Sequence, residues 1–396
     1  MQAARNSAIP VEGHVEPQFA AVVDSLIANF ERYSEVGAAL AVYHRGELVV
    51  DLAAGLRDRD SEARYTRDTL QPVFSVTKGI TALAANMLVD RGQLDIDKPV
   101  ASYWPEFAQH GKSNIPVRWL LTHQSGVLGL DQMISIQQLL DWDLMVDLLA
   151  RRKPDWEPGS KHGSHSMTYG FLLGEVIRRV TGETVGQFVS REIAGPLSAD
   201  LFIGLPEGEQ SRVAPPLLPD LGGQQPRLAD SGPYANRVLS WISPPLGPAD
   251  MIRADVMAAE IPAANGIANA RSLARMFAAI IGPVDGFRCL SPVAMERARA
   301  EQWRGLDAVM GVENAMGLGF LLPSQRCPLG GLGSFGTAGF GGSRAWAHPD
   351  MELAFGYVPN LCSMGHFDAR EAALGRAVIN CATRIRMVDR VGGFGL

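Results

Sequence analysis

The sequence predicts an α+β fold: one antiparallel sheet assembled from both ends of the chain, flanked by helices, with an all-helical lobe inserted between its two halves. Three observations predict it. Two strand-like runs with a glycine in the turn between them occupy residues 37–54. Four more short strand-like runs lie between residues 317 and 359. The long middle of the chain carries helical patterning. Two strands cannot form a stable sheet alone, so the N-terminal hairpin needs the C-terminal strands as neighbours.

Each element has its own signal. Phe19, Val23, Leu26, Ile27 and Phe30 recur at helical spacing and predict a helix over Glu16–Tyr33 with one buried face. Strands follow at Gly37–His44 and Glu47–Ala54, joined by Arg45-Gly46. Thr77–Asp90 is mostly apolar and reads as a buried helix ending near Arg91-Gly92. From Val100 to Arg152 the pattern is helical in short pieces, and Val117–Leu121 leads into the polar turn Thr122-His123-Gln124-Ser125-Gly126. A Pro-Gly loop, Trp156–Ser166, precedes a helix over Tyr169–Val180. Prolines and Gly222-Gly223 stud Leu205–Asp250, which reads as a lid, a binding loop or a linker. A helix over Ala270–Ile281 is followed by strands at Gly317–Leu322, Gly333–Thr337, Ser343–His348 and Glu352–Pro359, and by a final helix over Asp368–Arg386. The expected division is a discontinuous sheet domain (1–72 and 265–396), a helical lobe (73–204) and a Pro-rich lid or linker (205–264). Clefts between lobes are where small-molecule sites usually lie.

Composition excludes several classes. The 396 residues are 46% hydrophobic and 20% charged, enough apolar residue to build a core and too little charge for disorder. A net charge of -6 argues against nucleic acid or an anionic membrane as the main partner. No apolar run approaches the ~20 residues of a membrane span, and Met1–Pro17 lacks a cationic start followed by an apolar stretch, so the expectation is no signal peptide and a cytoplasmic location. Cys289, Cys327, Cys362 and Cys381 show no C-x-x-C pairing and are expected as free thiols. No metal constellation and no dinucleotide fingerprint is present, so no cofactor is expected.

The sharpest feature is Phe74-Ser75-Val76-Thr77-Lys78-Gly79. In a helix Lys78 lies one turn on from Ser75, on the same face, and Ser75 sits at the positive end of the helix dipole. A partly desolvated lysine amine beside a serine hydroxyl can accept its proton. This is the S-x-x-K arrangement of serine acyl-enzymes. Taken by itself the motif reads equally well as an N-cap serine followed by a solvated lysine. Context sharpens it: Lys78, Lys98, Lys112, Lys153 and Lys161 are all the lysines of the chain, only Lys78 has a serine three before it, and it lies on an apolar helix.

With Leu120-Leu-Thr-His-Gln-Ser-Gly126, Trp156-Glu-Pro-Gly159, Tyr169-Gly-Phe-Leu-Leu-Gly-Glu175 and Thr181-Gly182 in order behind Ser75 and Lys78, the chain resembles the class C β-lactamase-like serine hydrolases. These include family VIII carboxylesterases and DD-peptidase-like proteins. The resemblance covers nearly the whole chain and implies a β-lactamase/transpeptidase-like fold. It also implies a tyrosine in the loop after the Pro-Gly turn, working with the lysine as base and then as proton donor. Esterase-like relatives carry that tyrosine where Ser164 stands, ahead of a histidine matching His165. A serine hydroxyl has a far higher pKa and a shorter reach than a phenol. Ser164 is read as a substituted catalytic tyrosine, and three explanations stay open: an engineered replacement, a natural variant relying on Lys78, a water or His165, or a weakened catalyst. Tyr169 reads as packing. Tyr234-Ala235-Asn236 is a literal Tyr-x-Asn, but no Leu-Leu-Gly helix follows it.

The third motif of β-lactamases, Lys-Thr-Gly, cannot exist here because no lysine follows Lys161. Thr337-Ala338-Gly339 aligns with the place, and the resemblance implies an oxyanion hole from the N–H groups of Ser75 and Phe340. The alternative is a Gly-rich turn between strands. Thr337 supplies no charge, so anionic β-lactams should be poor substrates and neutral esters or amides better ones. Gly341-Gly-Ser343-Arg-Ala345 lacks the setting of a nucleophile elbow. His123 reads as a turn-ordering residue, His348 and His366 have no inferable partners, and Asn265-Gly266 is a cleft-border loop or a plain turn. His165, Trp241 and Tyr234 are candidate substrate contacts, the last two in the lid. The function expected is a serine hydrolase cleaving an ester or amide through a Ser75 acyl-enzyme. The alternatives are an acyltransferase passing the acyl group to an alcohol or amine, and an impaired variant or binding pseudoenzyme. The partner expected is a small-molecule substrate, and the oligomeric state is not legible.

Overall fold

The computed structural model describes residues 9–60, 62–220, 232–325, 327–363 and 368–392. Its strands are β1 (Val11–Val15), β2 (Gly37–His44), β3 (Glu47–Gly55), β4 (Gln71–Phe74), β5 (Leu201–Phe202), β6 (Gly266–Ala268), β7 (Trp303–Leu306), β8 (Glu313–Met316), β9 (Phe335–Ala338), β10 (Arg344–His348) and β11 (Leu353–Pro359). The longer helices are α1 (Ala21–Tyr33), α2 (Val76–Asp90), α3 (Trp142–Arg151), α4 (Thr168–Thr181), α5 (Ala270–Ile281), α6 (Pro292–Arg299) and α7 (Ala369–Gly392).

The N-terminal hairpin pairs with the C-terminal strands in one antiparallel sheet of order β1-β3-β2-β11-β10-β9. Arg45 and Gly46 close the hairpin with φ of 55° and 81°, the left-handed pair that a two-residue turn needs to match the twist of its strands. Successive side chains of β2 go to opposite faces. Leu40 and Val42 join Leu26 and Phe30 of α1 and Leu374 and Val378 of α7 in one core. Ala39, Ala41 and Tyr43 belong to the larger core with Leu273, Met276 and Phe277 of α5. Small residues let α5 lie close to the sheet: a Cβ on Gly356 would sit 2.3 Å from the Ala270 carbonyl oxygen. Each large apolar side chain buried this way contributes about 1.5–3 kcal/mol.

The second layer of importance is α2, whose residues from Ile80 to Val89 are all buried. It follows β4, which pairs with β6 and, through it, β5 in a small three-stranded sheet. The edge strand β9 packs against α2. The approach is tight enough that a Cβ on Gly79 would lie 2.8 Å from Thr337 Cβ. The helical middle packs on α2 through α4 and the short helix Val185–Val189.

Three sequence readings need correction. The first helix begins at Ala21, after a separate turn over Pro17–Phe19, because Pro17 fits only a first turn and Ser34 ends the helix with a left-handed backbone. The strand expected at Gly317–Leu322 lies upstream, at β8. Gly319 has φ of 84° and the Gly317 N–H donates to Phe320 O, which makes a tight loop there. Neither β1 nor β7 was anticipated. Both are short edge strands, with charged or glycine residues at positions where alternation would have shown. Residues 221–231 of the Pro-rich segment, and His366, lie outside the described residues. The rest of that segment contains short helices at Ala235–Leu239 and Ala254–Ala258. Among the described residues no helix is long and apolar enough to cross a membrane.

Candidate active site

Ser75 stands at the junction where β4 turns into α2. The turn is sharp: Phe74, a bulky residue, has φ of 48°, a conformation that costs free energy and persists only where surrounding contacts enforce it. Thr77 supplies two of those contacts. Its Oγ1 donates to Phe74 O and accepts from the Gly266 N–H at 2.8 Å. The result presents the Ser75 hydroxyl at the mouth of the helix.

Lys78 Nζ lies 3.0 Å from Ser75 Oγ and donates to Ala263 O at 2.9 Å. Among the described residues no carboxylate hydrogen-bonds it. Burial among α2, α4 and the 261–265 loop therefore pushes its pKa down to about 7, because nothing pays back the loss of water around the ammonium. The Ala263 carbonyl is itself held in place. Thr81 Oγ1 donates to Pro262 O at 2.6 Å. Asn265 Nδ2 donates to Val256 O and Ala259 O, while its Oδ1 accepts from the Ile261 N–H. Asn265, read as a loop border, is thus the residue that shapes the loop under the lysine.

Opposite the serine, residues 337–340 run along the end of β4. A Cβ on Gly339 would stand 2.3 Å from Val73 O, so only glycine allows this approach. The Phe340 and Phe74 rings meet edge to face at 5.3 Å. Neither the Ser75 N–H nor the Phe340 N–H donates to any described residue. Thr337 is 4% exposed and sits behind Ser75, its Oγ1 3.4 Å from Ser75 O, with its methyl against Gly79. Ala338 is half-buried beside it. Behind the loop, the buried Arg370 guanidinium donates to Gly341 O and Leu361 O and pairs with Glu35 and Asp368. Ser75 and Lys78 are partly exposed and Phe340 is exposed, so the site opens to solvent.

In the loop after the Pro-Gly turn and the turn before it, burial disfavours protonation of both His165 and His123, and the Lys78 ammonium adds to the effect. His165 has no free ring nitrogen: Nδ1 donates to Gly163 O and Nε2 accepts from Ser125 Oγ, each at 2.8 Å. Burial holds its pKa down to about 4. His123 Nδ1 accepts from the His165 N–H at 3.1 Å, and its ring lies tilted against Tyr169, centroids 4.8 Å apart, in keeping with a turn-ordering role. Ser164 turns its hydroxyl to Asp307 Oδ2, 2.6 Å away. Tyr169 is buried with its hydroxyl against Gly319. Tyr234 packs edge-on against Trp156 at 5.1 Å. Trp241 is 2% exposed and packs on Gly129, a core position. His348 and Ser343 are buried in and beside β10.

Asp307 was missed. It sits in Leu306-Asp307-Ala308-Val309 with no motif around it, and its partner is 143 residues away in sequence. The Ala263 carbonyl was missed too, since a backbone acceptor carries no side-chain signature.

A family described as beta-lactamase matches residues 21–378. The esterase/beta-lactamase LipL of Mycobacterium tuberculosis is 36% identical over 363 residues, 88% of this chain and 83% of that protein. A crystal structure of a family VIII carboxylesterase superposes with a TM-score of 0.87 at 34% identity, covering 94% of this chain and all (100%) of that one. A penicillin-binding protein homologue from Caulobacter crescentus gives 0.86 at 37% identity, with 94% and 100% coverage.

Proposed function

The chain belongs to the beta-lactamase family of serine hydrolases, and on that premise we propose that it is a carboxylesterase acting on neutral esters through an acyl-enzyme at Ser75. The observation that carries the reading is the Ser75–Lys78 pair: an amine 3.0 Å from the hydroxyl, desolvated and without a carboxylate partner. Its neutral form has a lone pair for the serine proton. The free N–H groups of Ser75 and Phe340 supply the second requirement, donors for charge that develops on the carbonyl oxygen.

In acylation, Ser75 Oγ attacks the ester carbonyl carbon as its proton passes to Lys78 Nζ. The carbonyl oxygen, now an oxyanion, accepts from the two N–H groups. Collapse breaks the bond to the alkoxy group, which leaves with the proton from Lys78. A water then releases the acyl group as a carboxylic acid. Ester rather than β-lactam preference follows from charge: Thr337 stands where a Lys-Thr-Gly strand would place a cation, and no lysine follows Lys161. A substrate carboxylate would find no compensating ammonium there, and leaving an anion unpaired costs binding free energy.

The experiment is hydrolysis of p-nitrophenyl butyrate against nitrocefin, with phosphonate labelling and mass spectrometry. Ester turnover, slow nitrocefin cleavage and a label on Ser75 that Ser75→Ala abolishes are the expected results. A protein that neither turns over esters nor takes the label at Ser75 is not this enzyme.

A further inference from the structure

Ser164 precedes His165, whose ring feels the Lys78 charge, and its hydroxyl has one hydrogen. That hydrogen is committed: Oγ lies 2.6 Å from Asp307 Oδ2, and a carboxylate can only accept. The Ser164 N–H also donates to both oxygens of the same carboxylate, at 3.1 and 3.2 Å. Asp307 in turn is fixed by the N–H groups of Val309 and Met310 at 2.9 Å, by Asn314 and by His162 Nε2 at 3.3 Å. Asp307 is fully buried (0% exposed), whereas Ser164 is partly exposed.

The hydroxyl oxygen therefore offers lone pairs, and no hydrogen, to whatever enters beside it. A phenol at this place would arrive with its own hydrogen to give. A serine locked in this orientation can only receive one. His165 cannot take over, because both of its ring nitrogens are engaged, and the Nδ1 of His123 is engaged by the His165 N–H. The partly exposed Ser164 oxygen is one acceptor this loop offers to a hydrogen-bond donor.

We propose that Ser164, held by Asp307, orients the water that hydrolyses the Ser75 ester, so that the chain turns over without a phenol. The inference rests on the acyl-enzyme reading above and adds the second half-reaction. The water keeps one hydrogen on Ser164 Oγ and gives the other to the lone pair of neutral Lys78 as its oxygen bonds to the acyl carbon. The tetrahedral species collapses, the carbon–Oγ bond of Ser75 breaks, and the proton on Lys78 returns to Ser75. The acid leaves, and Ser164 ends as it began. Ser164 is the catalytic residue of this step, and Asp307 is a positioning residue that acts through it.

Stopped-flow kinetics with a p-nitrophenyl ester separate the half-reactions. Ser164→Ala should acylate at close to the native rate but deacylate about ten- to a hundred-fold slower, the scale of a mispositioned reactant, so a burst approaching one equivalent appears. Ser164→Thr keeps the hydroxyl and should restore turnover. Asp307→Asn should slow the same step, and in the Ser164→Ala background it should add nothing further. Native deacylation in Ser164→Ala overturns the inference. So does an Asp307→Asn effect that persists in that background, which would mark a structural role. If the native protein forms no acyl-enzyme on Ser75, the proposed function itself fails. An acyl-enzyme that Ser164→Ala clears at the native rate sinks the water-orienting role alone.

Discussion

The pH dependence of acylation tests the Ser75–Lys78 pair most directly. The proposed base is the neutral amine of Lys78, whose pKa burial pushes down to about 7. With a midpoint there, about one tenth of the enzyme is competent at pH 6, about half at pH 7 and about nine tenths at pH 8. Log(kcat/KM) for a neutral ester should therefore rise with slope one below the midpoint and level off above it. The sign follows from which form reacts: activity is lost as pH falls through the midpoint. The neighbouring imidazoles do not confuse the profile, since His165 is held down to about 4 and His123 well below its ordinary value. The substrate carries no ionisable group, so the profile belongs to the free enzyme. The assay is initial-rate hydrolysis of p-nitrophenyl butyrate from pH 5 to 9 at constant ionic strength, with release followed at the isosbestic wavelength of p-nitrophenol. Lys78→Arg should be inactive throughout, because a guanidinium does not lose its proton in this range. A flat profile from pH 6 to 8, or a midpoint near the ordinary lysine value, would refute the reasoning that burial makes this lysine a base.

Three further predictions concern the support around the site. Gly79→Ala places a Cβ 2.8 Å from Thr337 Cβ. It should cost about 1–3 kcal/mol of packing strain against about 1 kcal/mol gained in helix propensity, for a small net loss. Because β9 carries the Phe340 loop, kcat should fall more than the melting temperature suggests, and Thr337→Gly in the same chain, which removes the clashing Cβ, should recover it. Lys112 is 0% exposed and donates to Gln109 O, Ala150 O and Arg152 O. Lys112→Met leaves those carbonyls without their donor, and urea unfolding should show about 2–4 kcal/mol lost with ester turnover of the folded fraction unchanged. Arg370→Met strands the buried Glu35 and Asp368 and releases the Gly341 carbonyl. Differential scanning fluorimetry should show a loss on the order of 3–5 kcal/mol. With the Phe340 N–H on that loop as the proposed oxyanion donor, the folded fraction should show lower kcat with KM little changed.

Much of this protein is written locally. The strand β2, the Arg45-Gly46 turn and the helix α5 lie where their patterns place them, because period, turn chemistry and capping act over a few residues. Ser75 and Lys78 are legible for the same reason: one helical turn brings them together whatever the rest of the chain does. Other features belong to the tertiary structure alone. The β1 edge strand, with Gly13 and two charged or polar neighbours, becomes a strand only because β3 offers it hydrogen bonds. Trp241, in a Pro-rich stretch that reads as lid, is a core residue because it packs against Gly129. Thr337 reads as facing substrate but lies behind Ser75, because strand β9 presents that face to Gly79. The sequence by itself posed the acyl-enzyme chemistry proposed above, since Ser75 and Lys78 stand one helical turn apart. Only the tertiary structure decided what stands around that pair: the Ala263 carbonyl under the lysine, Phe340 against the Phe74 ring, and Asp307 behind Ser164. Those partners are separated by more than a hundred residues, and no local pattern encodes a contact that the folding of the whole chain creates.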